Sequence, residues 1–163
     1  MNRVHEWKDY AMNAEKLDAT ASRFLAAWNS QDVEAVVDCY TADVAYRDPN
    51  TRGDVHGADA MRRYLGKLFG AWQMQWFLKK AYPLQEENGA AILWRATFQK
   101  KNKSRVLEVH GMDIVLFDGD RIKRNEVYFD RMRLLPILGL SGVLFLVHQI
   151  LPKAKQRKRG ESR

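Results

Sequence analysis

One domain of the α+β class is predicted by three features of the sequence. Apolar residues recur at helical spacing up to about residue 72, alternate with a period of two from about Gln73 to Met132, and then run almost unbroken towards the C-terminus. A stripe every 3.6 residues buries one side of a helix, whereas alternation buries one face of a strand, so the change of period marks a change of structure. With 163 residues the chain has the size of a single domain whose core is large enough to enclose a ligand.

The helical part reads as three segments. Residues 17–29 set Leu17, Ala21, Phe24, Leu25 and Trp28 on one face, and residues 1–16 precede them as a helical extension. Asp32 then offers an N-cap to a short second helix with Val33, Val36, Val37 and Tyr40 on one side. After "TADVAYRDPN", which extends and turns, a third helix begins between Gly57 and Asp59 and runs to Trp72, with Met61, Tyr64, Leu65 and Leu68 in its stripe.

Four runs follow with the alternation of strands: "MQWFLKKAYPL", "AAILWRATFQKK", "RVLEVHGMDIVLF" and "DRIKRNEVYFDRM". The separators "EENG", "NKS" and "DGD" are short enough for hairpins, which predicts a meander of long antiparallel strands with the helices on one face. Residues 17–133 form this domain. Residues 134–152 are a separate apolar helix, since positions 134–151 hold no Asp, Glu, Lys or Arg, and residues 153–163 are a basic tail.

Charge narrows the function classes. The tail carries six basic residues against Glu161, a net +5 of the chain's +7, so the domain itself is nearly balanced. No aromatic residue is interleaved with the tail cations, and nucleic acid is not an expected partner. Two readings of the C-terminal end stay open: residues 134–163 meet an anionic membrane surface, or the apolar helix is buried against protein. Cys39 is the one cysteine, so no intrachain disulfide forms, and the N-terminus lacks the apolar core of a signal peptide. A cytoplasmic protein is expected, membrane-associated on the first of those readings. No cofactor or metal is expected, because the sequence has no Walker or dinucleotide glycine motif and its histidines and cysteine make no ligand pair.

Two acids are the candidate chemistry. Asp48 stands before Pro49, where Asp-Pro-Asn-Thr makes a type I turn with Asp accepting backbone N–H bonds; the alternative is an active-site carboxylate. Asp113 is central in an apolar strand, where a charged carboxylate needs a partner or must be neutral. Either it lines a functional cavity or it pairs with Arg95 or Arg124 on a neighbouring strand. His110, three positions earlier, points to the opposite sheet face, and His56 lies in the loop before the third helix. Trp72, Trp76, Trp94, Phe98, Tyr64 and Met74 serve as core, as wall of a pocket for a flat apolar ligand, or as both.

The run "RFLAAWNSQDVEAVVDCYTADVAYRDP", with "HGADAMRRYL" and "HGMDIVLFDGDRIKRNEVYFD" after it, resembles the NTF2-like superfamily, in its ketosteroid isomerase and SnoaL-like polyketide cyclase branch. The resemblance covers roughly residues 17–131. It implies a cone formed by a curved, mostly antiparallel sheet wrapped against three helices, a deep hydrophobic pocket and a homodimer formed through the sheet. It also implies an isomerase or cyclase in which Asp48 moves a proton beside a ketone and Asp113 is the acid of an oxyanion hole. Phe24 departs from that pattern, standing where the isomerases place a tyrosine hydroxyl. Asn125 occupies the place where SnoaL-like proteins bring a polar residue to the pocket. Phe24, Tyr64, Trp76, Trp94 and Asn125 are thus the expected contacts of a small hydrophobic molecule, the competing expectation being a module that binds such a molecule without catalysis.

Overall fold

The computed structural model describes residues 14–134. Apart from Leu134, the apolar C-terminal helix and the basic tail lie outside these residues, as does the N-terminal extension up to residue 13. Among the described residues no helix is long and apolar enough to cross a membrane.

Helix α1 spans Ala14–Ser30 and α2 spans Val33–Val37, the latter capped by Asp32, which accepts from the backbone N–H groups of Glu34 and Ala35. Strand β1 (Tyr40–Arg47) leads through the two-residue β2 (Val55–His56) to α3 (Ala58–Ala71). Four strands then follow without another helix: β3 (Trp72–Pro83), β4 (Gly89–Lys100), β5 (Val106–Asp118) and β6 (Arg121–Phe129), closed by a 3-10 turn at Arg131–Leu134.

Two expectations are corrected here. The second helix stops at Val37, and Tyr40, which fits its stripe, opens β1 instead. The cause is tertiary: Tyr40 pairs with Ile122 of β6, and the β-branched and aromatic residues of this stretch suit a strand once a partner is present. His56 lies in strand β2 rather than in a loop, with Ala45 as its partner.

The six strands make one mixed sheet in the order β2-β1-β6-β5-β4-β3. All neighbours are antiparallel except β1 and β6, which run parallel because the chain returns to β1 only after the whole meander. Register shifts at Leu78/Lys80 and Leu116/Phe117 bend β3 and the β5–β6 pair. The inner face carries the core, with Ile92, Trp94, Ala96 and Phe98 of β4 opposite Leu17, Phe24, Leu25 and Trp28 of α1 and Met61, Leu65 and Phe69 of α3.

Two side chains fix the end of α1 to β3. The Asn29 amide donates to the Trp76 carbonyl at 2.9 Å and accepts from the Trp76 N–H at 2.6 Å, while Gln31 Nε2 donates to the Trp72 carbonyl at 2.9 Å. At the other end of the fold, Arg131 Nη1 donates to the Pro49 carbonyl at 2.7 Å, joining the last turn to the loop that follows Asp48.

Candidate active site

The two carboxylate oxygens of Asp48 have different surroundings, one in the turn and one buried among side chains. Oδ1 closes the Asp-Pro-Asn-Thr turn, accepting from the backbone N–H groups of Asn50 at 2.6 Å and Thr51 at 3.0 Å. Oδ2 faces inward and accepts from the hydroxyl of Tyr46 at 3.0 Å and from that of Tyr64 on α3. Tyr46 and Asp48 share a face because they are two residues apart along the strand direction, and the Tyr46 and Tyr64 rings lie 5.3 Å apart. Burial pushes both phenols well above their usual range, so they stay protonated donors.

Asp113 sits in the middle of β5 and is 5% exposed. Neither expected arginine reaches it: Arg95 pairs with Glu108 at 3.2 Å, and Arg124 pairs with Glu126. Its partners are uncharged. Trp94 Nε1 donates to Oδ1 at 2.8 Å and Asn125 Nδ2 donates to Oδ2 at 3.3 Å. Burial pushes the carboxyl up to about 7; the two hydrogen bonds work against that rise, and the charge of Asp48 adds to it.

The register explains how the two acids come together. Arg47 of β1 pairs with Glu126 of β6, so Asp48 follows beside Val127, and Val127 pairs with Asp113 of β5. The carboxyl groups therefore flank Val127 on the inner face, with their backbones two strand spacings, roughly 10 Å, apart.

Asn125, fully buried, links the Asp113 cluster to Tyr40, whose hydroxyl accepts from Asn125 Nδ2 at 3.1 Å. Phe24 meets Tyr40 edge-on at 5.9 Å, so a phenol stands beside the ring that has none. Trp28 connects the rest of the wall, 5.2 Å from Trp76, 5.9 Å from Phe69 and stacked on Tyr46 at 6.1 Å. Burial pushes the Tyr40 phenol well above its usual range, and the Asn125 amide and the Trp28 N–H work against that rise.

The structure thus gathers Asp113, Trp94 and Asn125 into one hydrogen-bonded cluster and Asp48 with Tyr64 into another, and it sets Phe24 and Trp76 on the ring wall between α1 and the sheet. Tyr40, Tyr46 and Trp28 were not among the expected site residues. Reading every second position back from Asp48 finds Tyr46 and Val44, both buried, and that alternation is the signal in the sequence for Tyr46; it breaks at exposed Ala42, where the register shifts before Tyr40. His110 lies on the outer face, between Lys79 at 2.9 Å and Glu108 at 3.0 Å. Cys39 is half-buried, and burial pushes its thiol up. Among the described residues no three His, Cys, Asp or Glu side chains cluster as metal ligands would.

A family model described as SnoaL-like domain matches residues 21–125. Solved structures with the same fold include a Bacillus subtilis protein proposed to be an isomerase, at TM-score 0.70 and 14% identity, with 78% of this chain and 96% of that one covered. Another is the epoxide hydrolase/cyclase-like enzyme SalBIII, of pyran ring formation in the polyether salinomycin, at TM-score 0.64 and 16% identity over 73% of this chain and 94% of that one. A third is a ketosteroid isomerase-like protein from Erwinia carotovora atroseptica, at TM-score 0.58 and 18% identity over 73% of this chain and 97% of that one. No curated protein matches the sequence.

Proposed function

The chain belongs to the SnoaL-like domain family, within the NTF2-like fold, and on that footing we propose that it is an acid/base enzyme of isomerase or cyclase type. Its substrate is a small hydrophobic carbonyl compound. The observation that carries this reading is the pair of buried carboxyl groups, Asp48 and Asp113, on one inner face in contrasting settings. Asp48 accepts four hydrogen bonds, whereas Asp113 is raised to about 7 by its apolar surroundings. A carboxyl group kept protonated by apolar surroundings suits the role of hydrogen-bond donor, which leaves the role of proton acceptor to Asp48.

In the proposed reaction Asp48 takes a proton from the carbon beside the carbonyl and the C–H electron pair moves towards oxygen. Neutral Asp113 donates a hydrogen bond to that oxygen, and Asp48 returns the proton to another carbon. Phe24, Tyr64, Trp76 and Trp94 hold the apolar body of the substrate. A β,γ-unsaturated steroid ketone tests this directly, because its conversion to the conjugated enone is followed by absorbance. Turnover by wild type that falls by about 10² to 10⁴-fold in Asp48→Asn supports the assignment. Wild-type turnover with no loss in either Asp48→Asn or Asp113→Asn would falsify it.

A second reading, ligand binding without turnover, is favoured by the saturation of Asp48: a carboxylate has about four lone-pair sites, and four donors occupy them. Absence of turnover in wild type with retained binding of an apolar ligand is its signature. On either reading Met112 and Tyr128, paired in register and exposed on the outer face, support a homodimer formed through the sheet.

A further inference from the structure

On the outer face of the sheet, away from the inner site, four side chains bond in a row. Lys79 Nζ lies 2.9 Å from His110 Nδ1, His110 Nε2 lies 3.0 Å from Glu108 Oε1, and Arg95 Nη1 donates to Glu108 Oε2 at 3.2 Å. These bonds fix the imidazole. The bonds from His110 and Arg95 hold the Glu108 carboxyl below its usual range, and a carboxylate has no hydrogen to give, so Nε2 carries the hydrogen between them. An ammonium group has no lone pair, so the Nδ1 that faces Lys79 is bare.

The backbone aims Lys79 at this ring. Leu78 pairs with Trp94 and Lys80 with Leu93, which are neighbours on β4, so Lys79 is the extra residue of a bulge, a device that redirects a side chain. Its amine reaches across β4 to β5. Exposed ion pairs do little for stability, whereas a carboxylate, an imidazole held in one tautomer and a nucleophile in sequence are the parts of base-assisted attack. We propose that Lys79 is an acylation site whose amine takes an acyl group from a thioester, with His110 as the base and Glu108 as the group that orients it. His110 Nδ1 accepts a proton from the ammonium, the freed electron pair bonds to the thioester carbonyl carbon, and the C–S bond breaks with its electrons on sulfur. The imidazolium gives its proton to the departing thiolate, a second proton passes from nitrogen to solvent, and the amide keeps the third. The cluster lies towards β3, the edge strand, away from Tyr128 of β6, and it is independent of the reaction proposed at Asp48.

The probe is the acetyl thioester of N-acetylcysteamine, given to the full chain at neutral pH, with acetylation of each lysine followed over time by mass spectrometry. Lys80 is the control, next along the strand and also exposed. Lys79 is expected to react at least about tenfold faster than Lys80, a modest share of what a positioned base supplies. His110→Gln keeps a hydrogen-bonding side chain but no base, and it is expected to bring Lys79 down to the rate of Lys80; Glu108→Gln is expected to lower it in part. Both substitutions are at exposed positions and leave the core intact, and the comparison of the two lysines in wild type needs neither. Equal rates at Lys79 and Lys80, including reaction at neither, or a Lys79 preference that survives His110→Gln, overturns the proposal.

Discussion

The indole N–H of Trp94 donates to Asp113 across 2.8 Å in the protein interior, and Gly111 is what allows it. Trp94 pairs with Gly111 across β4 and β5, and a Cβ built on Gly111 would stand 2.4 Å from the indole and 2.6 Å from the Tyr128 carbonyl. The ring lies over bare backbone, which brings its nitrogen to the carboxyl two residues further along the strand.

Gly111→Ala is therefore expected to move the indole and to lower stability by about 1–3 kcal/mol, the range for overpacking a closed interior. Urea denaturation measures the loss and near-ultraviolet circular dichroism the displaced ring. Unchanged values in both would show that the ring does not depend on that gap.

Trp94→Phe has a less obvious outcome. The indole hydrogen bond holds the Asp113 carboxyl below where burial alone would put it, so removing the donor moves its titration above about 7. Carboxyl chemical shifts followed against pH report this without reference to activity. A titration that moves downward contradicts the arrangement.

Asp113 also makes stability depend on pH. Below the ordinary value of 3.8 folded and unfolded chains both hold the proton; between there and about 7 the unfolded chain releases it while the folded one keeps it. Stability falls across that window, by an amount on the order of 4 kcal/mol, and the loss persists above it. Asp113→Asn has no proton to release, so the stability of the variant minus that of wild type is expected to climb from pH 4 to pH 7 and then level off. Urea midpoints taken across that range decide the matter, and a flat difference counts against a buried, raised carboxyl.

Tyr64→Phe removes one of the four donors on Asp48. If Asp48 is the proton acceptor, the freed lone pair is open to the substrate's proton, and turnover is expected to stay within about tenfold of wild type or to rise, although stability drops by about 1–2 kcal/mol. A loss as large as that of Asp48→Asn would transfer the role of proton carrier to the Tyr64 hydroxyl.

The helices and the four long strands are legible in the sequence because each buries one side of itself, and a one-sided pattern has a period. Tyr40 is not, since helical spacing and strand pairing compete for it and the deciding partner, Ile122, is eighty-two positions away. The partners of Asp113 escape for a similar reason. Sequence offers its neighbours by charge, as Arg95 and Arg124, but strand alternation sends both to the outer face and leaves the carboxyl to an indole and an amide. Asp48 is different again: the turn is legible in Asp-Pro-Asn-Thr, whereas the second oxygen's partners, Tyr46 and Tyr64, come from a neighbouring strand position and from α3.

The Asn29 amide, facing the backbone of Trp76, copies the two hydrogen bonds that a neighbouring strand would make there. Trp76 lies in β3, the last strand of the sheet, where open N–H and C=O groups would otherwise template the addition of a foreign strand. A side chain at the end of α1 thus serves as a stopper against edge-to-edge aggregation. Another chain can extend the sheet past Trp76 only after that helix end lets go.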